Sequence, residues 1–71
     1  MPHLHQLLLR QRIQLQLTQQ ELAEVSGVSV RLVRELEAGR ANPGLRQLEK
    51  LAAVLNLQVT LTPIFDANAG R

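Results

Sequence analysis

Cysteine, tryptophan and tyrosine are absent from this 71-residue chain, and phenylalanine occurs once, at Phe65. Without cysteine there is neither a disulfide nor a thiolate zinc site. With 1% aromatic but 45% apolar residues, the core must be aliphatic, mainly Leu and Val. Aspartate occurs once, at Asp66, histidine only as His3 and His5, and no glycine-rich phosphate loop is present. Neither a nucleophile–base triad nor a metal-assisted mechanism can be assembled from such a set, so the expectation is a non-enzyme with no catalytic residue and no cofactor. His3 and His5 form an H-x-H pair, but no third ligand lies nearby in sequence, so a solvated terminus is expected rather than a metal site. No apolar run approaches the roughly 18 residues that span a bilayer, and Met1 to Gln6 lacks the charged and apolar regions of a signal peptide. A soluble, cytoplasmic protein is expected.

What is present is aliphatic and rich in arginine. A chain this short sits near the lower limit for a self-sufficient apolar core, which makes a homodimer a natural source of further burial. The net charge is only +2, but seven of the eight basic residues are Arg. The planar guanidinium fork suits phosphates and guanine edges, so the residue choice says more than the total.

Apolar residues at Leu4, Leu8, Leu9, Ile13 and Leu17 recur at helical spacing and predict a first helix from Leu4 to Leu17. Thr18-Gln-Gln-Glu21 matches a capping box. It starts a second helix over about Gln19 to Ser26 that should bury Leu22, Ala23 and Val25. Gly27 ends that helix, and Ser29 caps a third from about Val30 to Ala38, with Val33 and Leu36 inward and Gly39 as its stop. Asn42-Pro43-Gly44 is a loop. A fourth helix, about Gly44 to Asn56, places Leu45, Leu48, Leu51, Ala52 and Leu55 on one stripe. Residues 57–62, Leu-Gln-Val-Thr-Leu-Thr, then alternate strictly and predict one strand ending at Pro63. A lone strand has no partner in its own chain. The economical arrangement is a two-stranded antiparallel ribbon shared by two copies, with Leu57, Val59 and Leu61 covering a joint core. The expected organisation is one domain over 1–62, including the dimerisation strand 57–62, and a flexible tail over 63–71.

Two short helices joined by a tight glycine turn, the second with a polar outer face, form the arrangement that projects a helix into the major groove of DNA. With Val33 and Leu36 inward, Arg31, Arg34, Glu35 and Ala38 share the outer face. Arg31 and Arg34 can each offer paired donors to guanine or phosphate, and Ser29 can hydrogen-bond at the helix start. A merely solvated helix surface is the bland alternative. Arg40 and Asn42 could touch phosphates from the following loop or be solvated there.

The stretch Leu17-Thr-Gln-Gln-Glu-Leu-Ala-Glu-Val-Ser-Gly-Val-Ser29, followed by Val33-Arg-Glu-Leu-Glu-Ala-Gly39, resembles the Xre/Cro-like helix-turn-helix family over roughly residues 9 to 56. The resemblance implies an all-α, lambda-repressor-like bundle of four helices, here with one C-terminal β-strand that pairs across a dimer. It implies that Gln19 meets a phosphate at the start of helix two and that Ser29, Val30, Arg31 and Arg34 approach bases; Thr18, a cap whether or not it also meets DNA, is a further candidate contact. It also implies that Arg12 and Glu37 form an ion pair joining helices one and three. Leu32 departs from the family, where that position is commonly small and polar. Packing against helix four and an altered approach to the DNA backbone are both open for it.

A strand in place of the family's fifth helix resembles the HipB-type antitoxins. That resemblance implies an autorepressor of palindromic operators that also binds a HipA-like serine/threonine kinase toxin. The alternatives are a free-standing Xre-type repressor without a toxin, and a protein-interaction module that inhibits a partner enzyme without touching DNA.

Overall fold

The computed structural model describes residues 3–63. Four helices follow one another: α1 (Leu4–Gln14), α2 (Gln19–Ser26), α3 (Val30–Glu37) and α4 (Leu45–Leu55). They enclose one aliphatic core of Leu8, Leu22, Ala23, Val33, Leu36, Leu51 and Leu55, with Ala52 beside it. Each helix contributes, so the four elements bury their apolar faces on one another rather than in separate pairs.

α1 stops at Gln14, three residues before the expected end at Leu17. Gln16 adopts a left-handed conformation at φ 61°, and the Leu17 amide bonds back to the Arg12 carbonyl at 3.1 Å. That reversal turns the chain into the cap of α2. Ile13, expected in the buried stripe, is 58% exposed. It lies about 140° around the helix from buried Leu8, whereas Arg12 follows Leu8 at the inward four-residue spacing. The inner face of α1 is therefore partly polar. Gln11 also points inward, and its amide donates to the Leu55 carbonyl at the end of α4 at 2.9 Å.

α2 opens on the expected capping box: Glu21 N–H donates to Thr18 Oγ1 at 3.0 Å, and Thr18 N–H donates to Glu21 Oε1 at 2.8 Å. Val25, expected in the core, is 66% exposed. Ser26 takes the inward position one turn after Leu22 and satisfies its hydroxyl by donating to the Leu22 carbonyl at 2.6 Å. Gly27 then ends the helix at φ 79°, a conformation glycine adopts without a Cβ penalty.

α3 begins at the Ser29 cap, whose Oγ accepts from Leu32 N–H at 3.1 Å. It ends one residue before the expected Ala38 and is closed by Gly39 at φ 75°. Leu32 is half-buried and packs against the core.

α4 is closed by Asn56 in the left-handed conformation, with Leu57 N–H returned to the Ala52 carbonyl at 2.9 Å. Leu51, Ala52 and Leu55 are buried as expected, but Leu45 at its start is 64% exposed. Among the described residues there is no strand. Over 57–62 the alternation begins as expected, with Leu57 and Val59 half-buried and Gln58 and Thr60 exposed, and then fails at Leu61, which is 98% exposed. A ladder requires a second strand, and a single chain offers none. The expected tail lies outside the described residues from 64 onward.

Candidate nucleic-acid interface

The glycine turn at Gly27 and the Ser29 cap leave only Gly27, Val28 and Ser29 between α2 and α3. α3 is anchored on its inner side by Val33 and Leu36, at 2% and 3% exposure, so its opposite face must meet solvent. That face carries Arg31 and Arg34, both exposed, with Ala38 just beyond the helix end. Arg31 Nε lies 3.3 Å from Glu35 Oε2 in an (i, i+4) pair that is largely open to solvent. Such a pair contributes a few tenths of a kcal/mol and releases either partner readily. Arg34 forms no ion pair among the described residues.

The other expected contact residues divide by how the fold uses them. Thr18 is exposed, and its hydroxyl is engaged in the capping box. The Ser29 oxygen caps α3, and its hydroxyl donates to no acceptor among the described residues. Val30 is half-buried against the core, so only part of it faces outward. Arg40 and Asn42 are exposed after Gly39, and Arg40 N–H donates to the Glu35 carbonyl at 2.8 Å, closing α3. Gln19, expected to point at a phosphate, is half-buried, and its Nε2 donates to Glu37 Oε1 at 2.9 Å.

That last bond belongs to a network of which the family resemblance implies only the Arg12–Glu37 pair. Arg12 donates from Nε to Glu37 Oε2 at 2.7 Å and from Nη2 to Glu37 Oε1 at 2.9 Å, a bidentate pair with side-chain exposures of 13% and 5%. Arg12 Nη1 also donates to the Leu17 carbonyl at 2.8 Å. The network fastens the end of α1, the start of α2 and the end of α3 to one another. The signal available in sequence was an acid at the last position of α3, where the helix dipole disfavours one.

A second missed contact lies behind the loop after α3. The His5 ring packs on Gly39, where an added Cβ would stand 3.3 Å from Nδ1. The His3 and His5 ring centroids are 5.5 Å apart, and among the described residues no group of three metal-ligating side chains converges.

A helix-turn-helix family model matches residues 8–61, more than half of the chain and the whole of α2 through α4. The chain belongs to the helix-turn-helix family. A relative from Haemophilus influenzae, bearing the name uncharacterized HTH-type transcriptional regulator, is 36% identical over 62 residues, covering 87% of this chain. The chain spans 63% of that relative's length. Among the described residues of this helix-turn-helix chain, no helix is long and apolar enough to cross a membrane.

Proposed function

We propose that this helix-turn-helix chain is a sequence-specific DNA-binding repressor that acts as a homodimer, without catalytic activity, in the cytoplasm. The observation that carries the reading is α3: a helix anchored by Val33 and Leu36 whose free face offers Arg31 and Arg34, one turn apart, to a groove. Arg31 and Arg34 would read base edges, Ser29 and the exposed part of Val30 would sit at the helix entry, and Thr18, Gln19 and Arg40 would meet the phosphate backbone.

The dimer is supported by what α1, α4 and the following segment leave uncovered. A groove of about 400 Å³ runs between them, lined by Leu4, Leu7, Leu45, Leu48, Leu57 and Val59 among others. A second copy adding its own 57–62 segment would pair the backbone and cover the exposed leucines, Leu61 included. Two-fold symmetry then requires an operator of two inverted half-sites, about one helical turn or a small multiple apart.

The finer assignment is an antitoxin of the HipB type that represses its own operon and holds a HipA-like kinase toxin. It rests on the alternating 57–62 segment that follows α4, in which Leu57 and Val59 are half-buried and Gln58 and Thr60 exposed. A free-standing repressor without a toxin is favoured instead by the name of the Haemophilus influenzae relative, which mentions transcriptional regulation alone. Light-scattering mass after co-expression with the adjacent gene separates the two. Capture of a kinase-sized neighbour supports the antitoxin, and a bare dimer supports the plain repressor. Titration with duplex DNA at several salt concentrations tests the shared core of both readings, since phosphate contacts release counterions and give a steep slope. Binding that is absent or indifferent to salt would instead favour a protein-interaction module.

A further inference from the structure

Glu37 is the last residue of α3, and its side chain is only 5% exposed. A carboxylate there faces the partial negative charge of the helix end and loses water, so the position is unfavourable unless it is compensated. Arg12 compensates the charge through two parallel hydrogen bonds. One acceptor site on Oε1 is left, and Gln19 Nε2 occupies it at 2.9 Å. Gln19 is the first residue of α2 and only half-buried, and among the described residues its carboxamide makes no other hydrogen bond.

A primary amide nitrogen carries two hydrogens, and the bond to Glu37 uses one. We propose that Glu37 is a positioning residue: it holds the Gln19 carboxamide so that the remaining N–H stands ready for a DNA phosphate, and Arg12 makes this possible by cancelling the carboxylate's charge. Two physical effects act together. A free glutamine loses the freedom of three side-chain torsions when it binds, and a side chain held beforehand has little left to lose. An uncompensated carboxylate beside the backbone would repel the phosphate that Gln19 is to meet, whereas the neutral Arg12–Glu37 pair does not. The inference rests on the DNA-binding reading above and adds that the contribution of Gln19 depends on Glu37.

The test is a double-mutant cycle on the full chain. Gln19→Ala is made in the native background and in an Arg12→Met/Glu37→Leu background, in which an apolar pair of similar volume replaces the ion pair. Affinity is measured for a duplex taken from immediately upstream of the chain's own coding sequence and for a scrambled duplex of equal length. In the native background Gln19→Ala should weaken both duplexes alike, by about 5- to 10-fold, and in the apolar background by no more than about 2-fold. Equal losses in the two backgrounds, or no loss in the native one while the native chain binds DNA, would overturn the positioning role and leave the DNA-binding reading standing. A native chain that binds neither duplex removes the DNA-binding reading and the positioning role together.

Should the apolar pair fail to fold, the native chain itself supplies the readout: the order of the Gln19 side-chain amide by NMR in the DNA-free protein, against that of its exposed neighbour Gln20. The Gln19 amide should be markedly the more ordered of the two, and an amide as mobile as that of Gln20 overturns the proposal.

Discussion

The two ends of the molecule solve the same problem differently. Around α1, α2 and α3 the interface is fastened by polar groups that satisfy one another within a single chain: the Arg12–Glu37 pair, Gln19, the Leu17 carbonyl and the Thr18–Glu21 box. Around α4 and residues 57–61 the joining surfaces are aliphatic and incompletely covered, with Leu4, Leu7, Leu45 and Leu61 left exposed. Polar clamps set orientation, which a helix that reads DNA needs. An open aliphatic groove gives adhesion without direction, and in the proposed dimer a second copy would cover it.

The largest expected effect comes from breaking the clamp on one side only. Arg12→Met leaves the Glu37 carboxylate without its cation at 5% exposure, and a loss of about 3–5 kcal/mol in stability is expected in urea or thermal unfolding. For a domain this small that approaches the whole margin. The loss should appear at low protein concentration as well as high, because the clamp lies within one chain.

The groove should behave in the opposite way. Val59→Asp places a charge among the apolar residues that line it, and the dimer dissociation constant should rise at least about 100-fold by sedimentation. Far-ultraviolet circular dichroism at high concentration should still show the helices. A dimer that survives this change and Thr60→Pro would remove the groove and ribbon from the account.

Smaller again is the effect on recognition. Arg34→Ala should leave melting nearly unchanged and reduce discrimination between the preferred duplex and a scrambled one by about 1–3 kcal/mol, measured by competition binding. A uniform loss across all sequences would reassign Arg34 to the phosphate backbone.

The smallest predicted change is a gain. Gln16 stands at φ 61°, where a Cβ costs roughly 1–2 kcal/mol and glycine costs none. After subtracting the freedom glycine adds to the unfolded chain, Gln16→Gly should raise stability by no more than about 1 kcal/mol.

The caps and stops of α2 and α3 were readable in the sequence because each depends on neighbours a few residues away, whereas the left-handed Gln16 that ends α1 early carries no such pattern. Thr18 with Glu21, Ser29 and Gly27 all function as their local pattern predicts. The inward faces were less readable wherever a polar residue takes a core position. Ser26 displaces Val25 by bonding its own helix, and Arg12 displaces Ile13 by finding Glu37, 25 positions along the chain. Apolar periodicity alone cannot anticipate a partner that distant. The same holds for Gln19, whose amide is committed to an acceptor on another helix, and for His5, whose ring packs on Gly39. The outward face of α3 was readable for the converse reason: among the described residues nothing competes for Arg34, and only the neighbouring Glu35 competes for Arg31.

The most direct test of the central claim is fluorescence anisotropy of a labelled duplex from upstream of the chain's own coding sequence, titrated with the full chain at several salt concentrations and challenged with scrambled duplex. A saturable complex of two chains per duplex, weakened steeply by salt and resistant to the scrambled competitor, is the predicted result. No binding, or equal competition by the scrambled duplex, would contradict it.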